Sequence, residues 1–124
     1  MGHPVPKILV VEDMPDSAEM AAQILRNYGH QVWIAENAEQ GLDLAAFYHP
    51  DLIVYDYWLP DLDARTFLAR LRADESLKGI KVVVCTATPK VALQQALGET
   101  AIDGFIPKPY RLSNFMEVIE EALV

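Results

Sequence analysis

The 124 residues are 52% apolar and 23% charged, a balance that suits one folded domain with its own core and argues against a disordered chain. Ten basic against eighteen acidic side chains leave a formal charge of −8, which would repel a phosphate backbone and argues against direct nucleic-acid binding. The single cysteine, Cys85, rules out an internal disulfide framework, and the longest uninterrupted apolar run, 44–48, is far too short for membrane insertion.

In chain order, 1–6 reads as a flexible tail without the basic-then-apolar layout of a signal peptide, and a cytoplasmic folded unit is expected over 7–124. Ile8-Leu9-Val10-Val11 predicts a first strand. Over 16–28, Ala21, Ile24, Leu25 and Tyr28 follow helical spacing, with Pro15 at the first turn and Gly29 as a stop. Gln31-Val32-Trp33-Ile34-Ala35 predicts a second strand. The alanine-rich stretch 38–48 predicts a helix ending before Pro50. Leu52-Ile53-Val54-Tyr55 predicts the third strand, and 64–72 a helix with Phe67, Leu68 and Leu71 opposite Arg65, Arg70 and Arg72. Val82-Val83-Val84-Cys85 predicts the fourth strand, with Cys85 packed in the core, and 90–97 a short helix. Phe105-Ile106 predicts the fifth strand. A final helix over 112–123 carries Leu112, Phe115, Met116, Ile119, Ala122 and Leu123 on one stripe. Continuous apolar runs suit strands covered on both faces, and five βα units in strict alternation predict an α/β doubly wound parallel sheet.

The polar residues that carry chemistry sit at the carboxyl ends of these strands: Glu12-Asp13 after the first, Asp56 after the third, Thr86 after the fourth and Lys108 after the fifth. Right-handed crossovers bring those ends to one edge, where open α/β sheets hold their ligand crevice at the point of strand-order reversal. For the order 2-1-3-4-5, taken from known doubly wound folds, that point lies between strands one and three, where Glu12, Asp13 and Asp56 would meet. Three carboxylates in one crevice repel, so either some are protonated or a cation lies among them. All-oxygen donors in an open crevice favour magnesium that keeps several waters. Lys108 adds a fixed positive charge and Thr86 a hydroxyl, which together suit a clamp for a phosphoryl group with one carboxylate as acceptor.

Ile8-Leu9-Val10-Val11-Glu12-Asp13, Pro50-Asp51-Leu52-Ile53-Val54-Tyr55-Asp56, Cys85-Thr86-Ala87 and Phe105-Ile106-Pro107-Lys108-Pro109 resemble, in order, the signature segments of the response-regulator receiver (CheY-like) family of two-component signalling. The resemblance spans 7–124 and implies a flavodoxin-like (βα)5 three-layer sandwich with parallel sheet order 2-1-3-4-5. It implies that Asp56 is the phosphoacceptor, charged from a phosphohistidine on a sensor histidine kinase or histidine phosphotransfer protein. It implies Mg2+ held by Asp13, Asp56 and the backbone carbonyl of Trp58, with Glu12 acting through water. Thr86 resembles the hydroxyl that swings to the phosphate, Lys108 the cation that pairs with it, and Phe105 the switching aromatic. The Lys108–Pro109 bond is cis in relatives. The expectation is a single-domain response regulator, a monomer or phosphorylation-dependent dimer, that switches contacts with a downstream protein target. Self-catalysed phosphotransfer and slow self-hydrolysis are expected, without conventional enzyme turnover.

The sequence also departs from the family pattern. Glu12 replaces a more usual aspartate, and Ala64 and Ala101 stand where glycine is frequent, so their backbones should avoid positive φ. Trp58 is bulky for its place two beyond the acceptor, where with Thr88 it would flank the water that hydrolyses an acyl phosphate. Its indole accepts no proton, which favours a long-lived adduct. Pro89 shortens the start of the fourth helix. Met14, Pro15 and Met20 read either as an exposed apolar patch for a helical partner or as packing at a helix start. His3, His30 and His49 show no metal-ligand spacing.

Three rival functions are weighed against these residues. An aspartate-nucleophile phosphatase of the haloacid-dehalogenase type would want a second acid where Trp58 stands. A flavodoxin-like cofactor binder would want a small-residue phosphate loop in place of Glu12-Asp13-Met14-Pro15. An unphosphorylated receiver-like interaction module would have no need of the full acid set.

Overall fold

A computed structural model describes residues 5–56, 59, 61–98 and 100–124. Five strands alternate with five helices: β1 (Lys7–Val11), α1 (Pro15–Asn27), β2 (Gln31–Ala35), α2 (Ala38–Tyr48), β3 (Leu52–Asp56), α3 (Ala64–Ala73), β4 (Lys81–Thr86), α4 (Lys90–Leu97), β5 (Gly104–Pro107) and α5 (Leu112–Leu123). The strands form one parallel sheet in the order β2-β1-β3-β4-β5, the flavodoxin-like order that the family resemblance implied. Three helices and one strand have the bounds the sequence predicted, and the other strands extend past the predicted ones by one residue at one or both ends. The first helix differs: it opens on Pro15, whose missing N–H costs nothing at that position, and hands over to Tyr28 as its cap.

The period of two along each strand sorts side chains into two cores. Leu9, Val11, Ile53, Tyr55, Val82 and Val84 point to the face covered by α2, α3 and α4, where Tyr55 and Phe67 rings lie 4.4 Å apart. Ile8, Val10, Leu52, Val54, Val83 and Cys85 point to the other face, under α1 and α5, where Phe115 and Ile119 are fully buried. Burying both faces is what demands apolar residues at consecutive strand positions. The result is a three-layer sandwich. Among the described residues, no helix is long and apolar enough to cross a membrane.

Local caps fix where two of the crossovers begin. Asn37 accepts the Gln40 N–H at 2.8 Å at the start of α2, and Asp63 accepts the Thr66 N–H at 2.8 Å at the start of α3. The end of α2 lies in left-handed backbone at His49 (φ 50°), and no other described non-glycine residue has positive φ, Ala64 and Ala101 included. Pro89 precedes α4, which begins directly at Lys90.

Candidate functional site

The site residues arrive on four strands. β1 ends at Val11, and the following Glu12 N–H donates to the Ala35 carbonyl at 3.0 Å, which extends the β1–β2 ladder by one rung. Glu12 is therefore turned into the sheet edge and only 6% exposed, while Asp13 is exposed to solvent. Asp56 is the last residue of β3 rather than the first beyond it, and Thr86 likewise closes β4. Lys108 follows β5, and its N–H donates to the Thr86 carbonyl at 2.9 Å, so the β4 and β5 ends are tied where the side chains converge. The Lys108–Pro109 peptide is cis, as the resemblance implied.

These placements bring Glu12, Asp13 and Asp56 together, each with a carboxylate oxygen within 4.8 Å of the others. The Lys108 ammonium donates to Glu12 Oε1 at 3.2 Å and stands 3.8 Å from Asp56 Oδ1. Burial, with the Asp56 carboxylate alongside, pushes Glu12 up to about 7, against the opposing pull of Lys108. Burial works against the charge on Lys108, but the Asp56 and Glu12 carboxylates outweigh it and hold the ammonium above its ordinary range. Glu12 Oε2 is buried with no hydrogen-bond partner among the described residues. A buried carboxylate oxygen without a donor, facing two further acids, is the donor set a hard divalent cation fits. Trp58, whose backbone carbonyl was expected to complete that set, and Tyr57 lie outside the described residues.

Thr86 is 1% exposed, and its Oγ1 accepts the Thr88 N–H at 3.0 Å, which leaves the hydroxyl proton available to donate. Phe105 is half-buried beside Leu93, Leu97 and Ile102 at the α4–β5 groove. In the parallel register Val84 faces Phe105 and Thr86 faces Pro107, so Thr86 and Phe105 project from the same side of the sheet on neighbouring strands. That is the juxtaposition a coupled switch requires.

A cavity of about 410 Å³ opens beside the acids, walled by Val54, Cys85 and Phe115 and rimmed by Met20, Lys108 and Tyr110. Met14 and Met20 are each 59% exposed, so they are not consumed in packing at the start of α1. Burial pushes the Cys85 thiol up to about 12. At pH 8 its thiolate is then roughly a thousandfold scarcer than that of a free cysteine, and alkylation of the native protein is expected to be slow until it unfolds. Intact mass after iodoacetamide treatment, with and without denaturant, reads this directly; fast native labelling would contradict the buried setting.

Sequence reasoning missed Asp61. Its carboxylate accepts the Ala38 N–H at 3.0 Å and the Glu39 N–H at 2.8 Å, reaching from the β3–α3 connection to the start of α2. An aspartate in a turn is an obvious capping residue, but nothing in the chain says which of the sheet's helices it will cap.

The model of the response regulator receiver domain matches residues 8–120. The polar-differentiation response regulator DivK of Brucella ovis is 27% identical over 116 residues, 94% of each chain. The signal receiver domain of a signal transduction histidine kinase from Syntrophus aciditrophicus is 28% identical with a TM-score of 0.85, over 96% of this chain and 90% of that one. The chemotaxis response regulator CheY4 of Vibrio cholerae shares the fold with a TM-score of 0.90 at 20% identity, over 97% of this chain and all of that one. A family match over nearly the whole chain, on a sheet whose carboxyl edge gathers three acids and a lysine, leaves one assignment: the chain belongs to the response regulator receiver domain family.

Proposed function

We propose that this receiver accepts a phosphoryl group on Asp56 from a phosphohistidine of a sensor histidine kinase or histidine phosphotransfer protein, and that the acyl phosphate switches its contacts with a downstream protein. The observation that carries the reading is the convergence of Asp56 with Glu12, Asp13 and the Lys108 ammonium at one sheet edge. Receiver domains bind Mg2+ at this acidic pocket and interact with histidine kinases and downstream targets; they are signalling domains rather than conventional enzymes.

In the proposed step an Asp56 carboxylate oxygen attacks phosphorus, a P–O bond forms, the P–N bond of the donor breaks, and its electron pair returns to the imidazole. Lys108, already 3.8 Å from Asp56 Oδ1, pairs with a phosphoryl oxygen, and the Thr86 hydroxyl donates to another. Asp13 and Asp56, with Glu12 through water, would hold Mg2+, which when bound supplies charge neutralisation at the transferring group. The test is intact mass after incubation with acetyl phosphate, with and without magnesium. A single magnesium-dependent phosphoryl adduct supports the reading; no adduct under either condition overturns it.

The switch follows from the shared face of Thr86 and Phe105. Drawing the Thr86 hydroxyl toward the phosphate biases a two-state packing in which Phe105 enters the space beside it. Phe105 has no hydroxyl, so its inward position needs no polar bond at the ring tip. Amide and methyl spectra are expected to shift along β4, α4 and β5 on phosphorylation, and the shifts should shrink in Thr86→Ala. Spectra unchanged along those elements would rule the coupling out.

A further inference from the structure

The start of α2 is capped from two sides. Its own sequence provides two local bonds: Asn37 accepts the Gln40 N–H at 2.8 Å, and Gln40 Oε1 accepts the Glu36 N–H at 2.6 Å. Two further N–H groups of the first turn, those of Ala38 and Glu39, both go to one carboxylate supplied from elsewhere in the chain, Asp61 at 3.0 and 2.8 Å. Partial desolvation pushes Asp61 up, but the Glu39 and Ala38 amides outweigh it and hold the carboxyl below its usual range, so the cap is ionised throughout the neutral range.

Asp61 lies in the connection that leaves the acceptor strand, and the two residues that follow it are committed elsewhere. The Leu62 carbonyl accepts from the Tyr55 hydroxyl at 3.4 Å, and Asp63 caps α3. The α2 start that Asp61 grips follows β2 directly, and β2 ends at Ala35, whose carbonyl accepts from Glu12 N–H. A continuous path of bonds therefore runs from the loop after Asp56, through Asp61 and the β2–α2 junction, to the acid pair at the end of β1. Asp61 is thus a polar tie between that loop and the β2–α2 junction.

We infer that Asp61 is a positioning residue of the acidic site: its carboxylate latches the loop that follows Asp56 onto the start of α2 and so holds that loop in register with Glu12 and Asp13. The inference rests on the proposed acceptor and metal roles, and its effect is on how well the site is assembled before magnesium or a phosphoryl group arrives. Untying the loop leaves a segment that binding must order again, which is worth about tenfold in affinity for each residue's backbone to be fixed.

The experiment compares the wild type with Asp61→Ala, Asp61→Asn and Asn37→Ala. Asn37→Ala uncaps the same helix from its own side without untying the loop. Thermal midpoints are expected to fall by similar amounts in Asp61→Ala and Asn37→Ala. Magnesium affinity by calorimetry is expected to weaken by about tenfold in Asp61→Ala alone, with Asp61→Asn, which keeps a carbonyl acceptor, recovering most of it. Equal magnesium binding in Asp61→Ala and wild type, or an equal loss in Asn37→Ala, overturns the inference. If the wild type itself binds no magnesium, the metal reading fails, and hydrogen exchange decides the latch separately. Asp61→Ala should then speed exchange at Ala38 and Glu39 and at the amides of 59, 61 and 62, whereas exchange unchanged at 59, 61 and 62 overturns it.

Discussion

Asp56→Asn is expected to abolish acyl-phosphate formation while leaving the fold intact. The three acids of the site are not equivalent. Glu12 Oε1 is held by Lys108, and burial pushes the group up to about 7, so near neutrality it is partly protonated and a poor nucleophile. Asp13 is exposed and follows β1, whereas Asp56 ends β3 with Lys108 3.8 Å from Oδ1. A carboxamide of the same shape keeps the packing but removes the charged oxygen that attacks phosphorus. It also relieves like-charge repulsion with Glu12, so the metal-free variant should melt no lower than the wild type. Intact mass after acetyl phosphate and a thermal melt check both halves. Undiminished labelling would move the acceptor to another residue, and loss of the fold would make Asp56 structural.

The second large effect concerns the cation. Asp13→Asn removes an exposed charge from a site whose other acids are largely buried, and magnesium affinity is expected to fall roughly 10- to 100-fold. In the wild type, magnesium at ten times its dissociation constant should stabilise the fold by about 1.4 kcal/mol, a rise of several degrees in the thermal midpoint. In Asp13→Asn that stabilisation should fall to about 0.4 kcal/mol or less at the same concentration. A midpoint shift of equal size in both proteins would exclude Asp13 as a ligand.

The metal-free protein has its own pH dependence. The Glu12 carboxyl protonates at about 7 when folded against an ordinary 4.5, so the folded state binds the extra proton between those limits. Stability in EDTA should therefore decline as pH rises from about 4.5 through 7 and flatten above it. Glu12→Gln, which keeps an acceptor for Lys108, should flatten that slope. A slope of the same size in the variant would place the titrating group elsewhere.

What the sequence determined by itself was the alternation of elements and the chemistry at the sheet edge. Runs such as Leu52-Ile53-Val54-Tyr55 are legible because a strand buried on both faces needs apolar residues at consecutive positions, a local signal. Glu12, Asp13, Asp56, Thr86 and Lys108 were legible because parallel strands send all their carboxyl ends to one edge, so position along the chain predicts position in space. Three things depended on tertiary structure. Glu12 Oε2 is buried without a hydrogen-bond partner among the described residues, and nothing in Val11-Glu12-Asp13 states that Glu12 turns inward while Asp13 faces water. Thr86 and Phe105 share a face only through the β4–β5 register, which is set between strands rather than within them. Asp61 caps a helix that begins 23 residues before it, a contact that exists only once the sheet order has brought β2 and β3 to either side of β1. Local propensity is written residue by residue, whereas burial, register and long-range capping are properties of the packed whole.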